Sequence, residues 1–185
     1  MLPNHHLLKR SCQMKRFALT LSIFLLIPLA SVTISSAAGP KVINAHVFGN
    51  TPNITIRGVS AAGAPWVVKN GKLTLDPDGR LKVHVKGLLI IDGALANGDP
   101  VPANLIGTTG GVLTVHAALT CGGPGNGVPF TITPTDGVPL DANGDFEIDA
   151  EVSIPDVCAQ PIVLIRTGTP AAPGGWIAAS ELPGD

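Results

Sequence analysis

The chain has no tyrosine, and aromatic residues make up only 4% of its 185 residues. Sugar-binding sites usually present aromatic platforms, so this scarcity counts against carbohydrate recognition. Acidic residues are plentiful, however, which leaves open a carboxylate pair of the kind that hydrolyses glycosides. Trp66 and Trp176 each lie next to a Pro- or Gly-rich loop, and Phe146 has the phase of an inward strand residue. We predict that all three side chains belong to the core.

Residues 1–38 have the features of a secretory signal peptide. A basic pair follows Met14, an apolar run spans residues 17–30, and small residues precede Gly39 as at a signal-peptidase site. Met14 is a second candidate for the start codon. The apolar run is shorter than the about 20 residues that a membrane span needs, and Pro28 interrupts it. We therefore predict a secreted protein with no stable membrane span after cleavage. The alternative is an N-terminal membrane anchor, with the domain facing outside.

The mature chain, residues 39–185, has little positive charge. Four of the 12 lysines and arginines lie in the leader, so 8 remain against 13 aspartates and glutamates, which gives a formal charge of −5. An acidic secreted chain lacks the excess of positive charge that binding to nucleic acid requires. The length fits one domain with a sizeable core. We expect a single domain and no nucleic-acid partner. The sequence does not identify the partner, for which an extracellular protein or a cell surface is the candidate.

The mature chain also lacks the short motifs of catalysis. It has three serines, Ser60, Ser153 and Ser180, and none lies in a GxSxG sequence. It contains neither HExxH nor CxxC. We therefore assign no catalytic residue and no cofactor, and we favour a non-catalytic protein over an enzyme.

Only two cysteines, Cys121 and Cys158, follow the signal peptide. Two cysteines in an exported protein typically form one disulfide, and two free thiols are the alternative. Both cysteines flank apolar strands beside loops, where a bridge would pin two strand ends. We predict this disulfide, which would stabilise the fold by about 4 kcal/mol in the chain-entropy model.

Apolar and polar residues alternate along several segments, which indicates strands with one buried face. The clearest are residues 80–86, 113–119 and 146–154. Further strands are predicted at residues 41–48, 54–59, 129–133, 161–166 and 175–179. No stretch after residue 38 shows a convincing helical period.

Turn signals separate these segments. Asn70-Gly71 predicts a hairpin turn, because both residues tolerate positive φ. The sequences DPDG at 76–79 and DANG at 141–144 predict type I turns that end on a left-handed glycine. Eight or nine short strands predict an all-β, antiparallel, single-domain β-sandwich, Ig-like or related, with a small β-barrel as the alternative.

Loops rich in Gly and Pro suit recognition, because rigid strands position them. They lie at 97–111, 121–129 and 168–175.

Asp141, Asn143 and Asp145 have the one-three-five spacing of a calcium loop. A loop of the helix-loop-helix kind needs glycine at position six and glutamate at position twelve, where this chain has Phe146 and Val152. Those two residues have the phase of a strand core, so turn chemistry explains the spacing better. We predict a turn and no metal, and the three polar residues remain candidates for a non-standard calcium site.

His46, His84 and His116 each lie in a predicted strand, on the face opposite its most apolar residues. Three histidines from neighbouring strands can hold a catalytic zinc ion. We predict three solvated side chains. The alternative is a secreted hydrolase or metal-dependent enzyme that uses these histidines or the acidic strand face described next.

Two predicted strands present outward faces of opposite charge. The face of residues 80–86 carries Arg80, Lys82, His84 and Lys86, and that of residues 145–151 carries Asp145, Glu147, Asp149 and Glu151. We predict that the two strands are neighbours, with Lys82 or Lys86 within reach of Glu147 or Asp149. Each such cross-strand pair contributes about 0.2–1 kcal/mol. Two solvated faces, or an acidic stripe that meets a cationic partner, are the alternatives.

Residues 66–90, 113–123, 153–166 and 174–180 together resemble small secreted bacterial proteins of no assigned activity. The resemblance covers most of the mature chain and rests on the two cysteines, a Gly-Leu-Leu strand and a terminal Trp-Ile-Ala-Ala. It implies export and a β fold, and it carries no catalytic residues. We therefore favour a non-catalytic extracellular module that binds or builds through its loops or its outer sheet face.

Overall fold

The computed structural model describes residues 42–122 and 131–180, and within these ranges it contains strands and no helix. The strands, in chain order, are β1 (Ile43–Gly49), β2 (Thr55–Ile56), β3 (Val59–Ser60), β4 (Trp66–Leu75), β5 (Arg80–Ile90), β6 (Thr114–Gly122), β7 (Thr131–Pro134), β8 (Val138–Pro139), β9 (Phe146–Glu151), β10 (Ala159–Thr169) and β11 (Ala172–Ser180). The predicted all-β class is confirmed. The predicted signal peptide lies outside the described residues, which themselves include no helix of the length and apolarity that a membrane crossing needs.

Nine strands form one curled antiparallel sheet in the order β7-β6-β10-β11-β1-β4-β5-β9, with β8 also paired to β6. The strand β1 links two parts of this sheet, because its residues 43–46 pair with β4 and its residues 47–49 pair with β11. We call β4, β5 and β9 the front half, and β6, β7, β8, β10 and β11 the back half. This curled sheet is consistent with both the predicted sandwich and the alternative barrel.

The predicted hairpin at Asn70-Gly71 is wrong, because β4 runs unbroken from Trp66 to Leu75. A Cβ at Gly71 would lie 2.7 Å from the Cβ of Val47 and 2.9 Å from Cγ1 of Val68. Val47 is where β1 leaves β4 for β11. The glycine therefore permits a close approach at the bend of the sheet, which is the other common reason for glycine inside a strand.

The two predicted type I turns are confirmed. Gly79 and Gly144 have φ values of 89° and 79°, and their N–H groups donate to the carbonyls of Asp76 and Asp141, each at 3.0 Å. The predicted strand at residues 54–59 is instead the hairpin of β2 and β3, because Arg57 and Gly58 both have positive φ.

The inner faces of the two halves pack on each other and form the main core. It includes Leu73, Leu75, Leu81, Val83, Val85, Phe146 and Ile148 from the front half, and Val115, Leu119, Val163, Ile165 and Ile177 from the back half. A second cluster lies on the outer face of the back half, where the β2–β3 hairpin covers β10 and β11. It comprises Val59, Ile162, Leu164, Trp176 and Ala179. The predicted burial of Trp66, Trp176 and Phe146 is confirmed, because each is at most 5% exposed.

The disulfide between Cys121 and Cys158 is confirmed, with the two Cα atoms 4.6 Å apart. It joins the end of β6 to the segment that leads into β10. The guanidinium of Arg57 donates hydrogen bonds to carbonyls of Thr120, Ala159 and Gln160 beside it. The turn of the β2–β3 hairpin and the disulfide therefore hold the same end of the back half, where β6 ends and β10 begins. A disulfide of this kind indicates an oxidising environment.

Candidate functional site

The outer face of the front half is charged, and its pairing is as predicted. The strand β5 pairs with β9 in a register that sets Lys82 opposite Asp149 and His84 opposite Glu147. Lys82 Nζ lies 3.4 Å from Asp149 Oδ2, and His84 Nδ1 lies 2.7 Å from Glu147 Oε1. The two stripes of opposite charge are therefore neighbours in one sheet.

Exposure limits what this charged face can do chemically. The side chains of the two pairs are 51–75% exposed. They line a shallow depression of about 290 Å³ together with Lys72 and Thr74. Exposed pairs of this kind contribute about 0–1 kcal/mol, because water screens them. Catalytic acids and bases are usually tuned by burial, which this face does not provide. The face is better suited to contact than to catalysis.

The prediction of three solvated histidines is correct for His46 and His84 and wrong for His116, which is fully buried. His116 Nδ1 lies 3.1 Å from the carbonyl oxygen of Gly168 and donates to it, and Nε2 has no partner among the described residues. Burial lowers the pKa of His116, the hydrogen bond to Gly168 opposes that change, and the charge of Arg166 adds to it. The physical reason for the difference is that β6 is buried on both faces.

The structure does not bring the three histidines together. His46 on β1 and His84 on β5 lie on either side of Lys72 on β4, through the pairing of these three strands. His116 faces Arg166 on the back half. Within residues 42–122 and 131–180, no group of three or more His, Cys, Asp or Glu side chains could hold a metal ion.

In the turn at residues 141–145, the aspartate side chains accept hydrogen bonds from backbone N–H groups, as expected for a turn. Asp141 Oδ1 accepts hydrogen bonds from the N–H groups of Asn143 and Asp145, each at 2.8 Å. Asp145 Oδ1 accepts another from the N–H of Gly87 on β5, at 2.9 Å. The one-three-five spacing is therefore explained by a turn that fastens β9 to β5.

A second surface, which we call the loop-lined pocket, lies where β4 begins and β5 ends. Its volume is about 550 Å³, within the usual range of about 300–1,000 Å³ for small-molecule sites. It is lined by Ala62, Gly63, Ala64, Trp66, Ile90, Leu95, Ala96, Asn97, Leu105, Gly110, Val112 and Thr167. None of these side chains is charged, and Asn97 and Thr167 carry the only amide and hydroxyl. Ile91 and Ile106, which follow two lining residues in the chain, are each 40% exposed.

Most residues that line the loop-lined pocket lie outside the strands. Backbone hydrogen bonds nevertheless hold these segments in place. The N–H of Ala96 donates to the carbonyl of Gly63 at 2.8 Å, which ties the two walls to each other. The backbone of Ile90 exchanges hydrogen bonds with Gly107 and Thr108, at 2.8 and 2.9 Å. These bonds fix the segments that line the pocket, which is wide open to solvent.

Part of this pocket lies in a segment that the sequence predicts as a recognition loop. The Gly- and Pro-rich segment 97–111 was a predicted recognition loop, and it supplies Asn97, Leu105 and Gly110 to the lining. The contribution of residues 62–66 was missed, because only the fold brings them beside that loop. The usable signal was Leu105-Ile106, an apolar pair inside a loop that otherwise consists mostly of small and polar residues.

Comparison with known proteins gives no assignment. No family model matches the chain, and neither a curated protein nor a solved structure matches it. The function therefore has to be argued from the two surfaces themselves.

Proposed function

We propose that this protein is a secreted, non-catalytic binding protein that takes up a small, uncharged, mostly apolar molecule in the loop-lined pocket. The observation that carries the proposal is the pocket, with its apolar lining and its hydrogen-bonded walls. The predicted signal peptide and the disulfide support secretion, and the resemblance to small secreted bacterial proteins agrees with it.

The lining determines the class of ligand. A charged ligand would lose hydration without gaining an ionic partner, and that loss is large in an apolar site. Burial of apolar surface stabilises a complex by about 25 cal/mol per Å². A ligand that buries about 200–300 Å² would therefore gain about 5–7.5 kcal/mol before the costs of association. A micromolar complex needs about 8.2 kcal/mol, which is more than this gain, so we expect an affinity weaker than micromolar.

The experiment compares 1-decanol with decanoate, which have equal chain lengths and differ in charge. The readout is the fluorescence of Trp66, which lines the pocket, in a Trp176→Phe protein where it is the sole tryptophan. We expect 1-decanol to change this fluorescence saturably, and decanoate to bind about tenfold more weakly or worse.

Two matched variants test the location. Ala96 is exposed and lines the pocket, whereas Ala103 is exposed in the same loop region and does not line it. We expect Ala96→Phe to weaken binding of 1-decanol by about tenfold or more, because the ring fills the pocket, and Ala103→Phe to leave it unchanged. Equal binding by both variants, or a preference for decanoate, would contradict the proposal.

A further inference from the structure

The last strand of the curled sheet, β9, has an open edge. Among the described strands it pairs only with β5. The N–H of Val152, just past its end, donates to the carbonyl of Gly79 at 2.9 Å. Hydrogen-bonded positions alternate along an antiparallel pair. Ala150 and Ile148 therefore direct their backbone groups toward β5. It follows that Glu147, Asp149 and Glu151 direct their N–H and C=O groups away from β5, toward the open edge.

A groove runs along this edge. Its volume is about 350 Å³, and it lies between residues 148–151 of β9 and residues 134–138 of the back half. The strand β8 comes close to β9 without pairing with it. Pro134 and Pro139, on the far side, lack the N–H groups that would be needed to close the sheet. Within residues 42–122 and 131–180, the curled sheet therefore ends on a row of backbone groups that pair with no other strand.

The edge is acidic, and this decides what can pair with it. The residues with outward backbone groups are Glu147, Asp149 and Glu151, and Asp136 lines the groove opposite. The side chains of Glu147 and Asp149 each contact one partner on β5, His84 and Lys82, so the carboxylates without a partner of this kind are at the end of β9 and across the groove. No basic side chain lines the groove. Glu151 and Asp136 form no ion pair within the described ranges. A second copy paired at this edge would set carboxylates against carboxylates, which is destabilising.

We propose that β9 receives an extended, basic segment of a partner protein as an added strand. The unpaired backbone groups of β9 supply the ladder of hydrogen bonds, as in other cases of strand addition. Lysine or arginine at alternate positions of the segment supplies the charge that the edge lacks. This interaction uses neither the loop-lined pocket nor its ligand, so it stands independently of the function proposed above.

The test uses a peptide of about ten residues in which lysine and threonine alternate, a length at the upper end of the usual range for strands. Two control peptides separate charge from backbone pairing: one has glutamate in place of lysine, and one carries N-methyl groups on alternate amides. Binding is measured by calorimetry at low and high salt, and by hydrogen exchange of the backbone amides of β9. We expect the lysine peptide alone to bind, more weakly at high salt, and to protect the amides of Glu147, Asp149 and Glu151.

Two variants at one position sharpen the test. Asp149→Pro removes an edge N–H without removing a hydrogen bond to β5, whereas Asp149→Asn removes the charge and keeps the N–H. We expect Asp149→Pro to weaken binding by about tenfold or more and Asp149→Asn to weaken it less. If Asp149→Pro does not fold, the N-methylated peptide addresses the same question with the unchanged protein.

Several results would overturn the proposal. The glutamate or N-methylated peptide could bind as well as the lysine peptide, or no peptide could bind. Protection could arise outside β9. Self-association of the protein that Asp149→Pro abolishes would assign the edge to a second copy of this chain instead.

Discussion

The strands β5 and β6 are nearly equal in length, yet they are buried in different ways. Along the first part of β5, the inward residues Leu81, Val83 and Val85 are at most 2% exposed, and the residues between them are exposed. In β6, every residue from Val115 to Cys121 is buried. The front half is covered on its inner face only, whereas the central strands of the back half, β6, β10 and β11, each contain a run of consecutive buried residues and are covered on both faces. Alternation in the sequence therefore predicts a strand, but it does not predict what covers the outer face.

The largest effect should come from removing a large side chain on the outer face of the back half. Trp176 lies there and is 1% exposed, whereas Lys72 lies on the outer face of the front half and is exposed. We expect Trp176→Ala to lower the free energy of unfolding by about 3–5 kcal/mol. Lys72→Ala should change it by about 0.5 kcal/mol at most. Urea unfolding of both variants makes the measurement. Equal losses would remove the distinction between the two faces.

A smaller effect should appear as pH dependence of stability. Burial lowers the pKa of His116 in the folded protein, so the unfolded chain binds its proton more tightly. The free energy of unfolding should therefore decrease as pH falls below the ordinary histidine pKa of about 6.5, by at most about 1.4 kcal/mol per pH unit. His116→Gln should remove this contribution, and His84→Gln, at an exposed position of the front half, should keep it. A slope that survives in His116→Gln would show that another group is responsible.

The smallest effect concerns the ion pair on the outer face of the front half. A double-mutant cycle of Lys82→Ala and Asp149→Ala should give a coupling of about 0–1 kcal/mol, because both side chains are more than half exposed. The coupling should disappear at high salt, where the Debye length is about 3 Å at 1 M. A coupling that persists there would mean that this face is less hydrated than the structure indicates.

The sequence predicted β5 and β9 of the front half well, because their residues differ sharply between the two faces, whereas it wrongly placed a hairpin turn inside β4. Charged residues at alternate positions of β5 and β9 identified both strands, their faces and their pairing. His116 was wrongly predicted to be solvated, because alanine and threonine occupy the same phase of β6 as this histidine and neither type reveals burial. The contiguous apolar run at residues 162–165 of β10 was the available signal, since such runs are typical of strands buried on both faces.

The candidate site was less predictable than the fold. The turn at residues 141–145 followed from local chemistry, because its hydrogen bonds join residues that are close in the chain. The loop-lined pocket depends on contacts between residues 62–66 and residues 95–112, which no local pattern encodes. Gly71 illustrates the same limit: its role depends on Val47, which is distant in the sequence and adjacent in the fold.

The most direct test of the proposed function is a map of backbone amide chemical shifts during a titration with 1-decanol. We predict that the shifts change at residues 62–66, at Ile90 and at residues 95–112, and that they stay constant at residues 80–86 and 146–151. Changes centred on the charged outer face of the front half, or no saturable change anywhere, would contradict the proposal that the loop-lined pocket is the binding site.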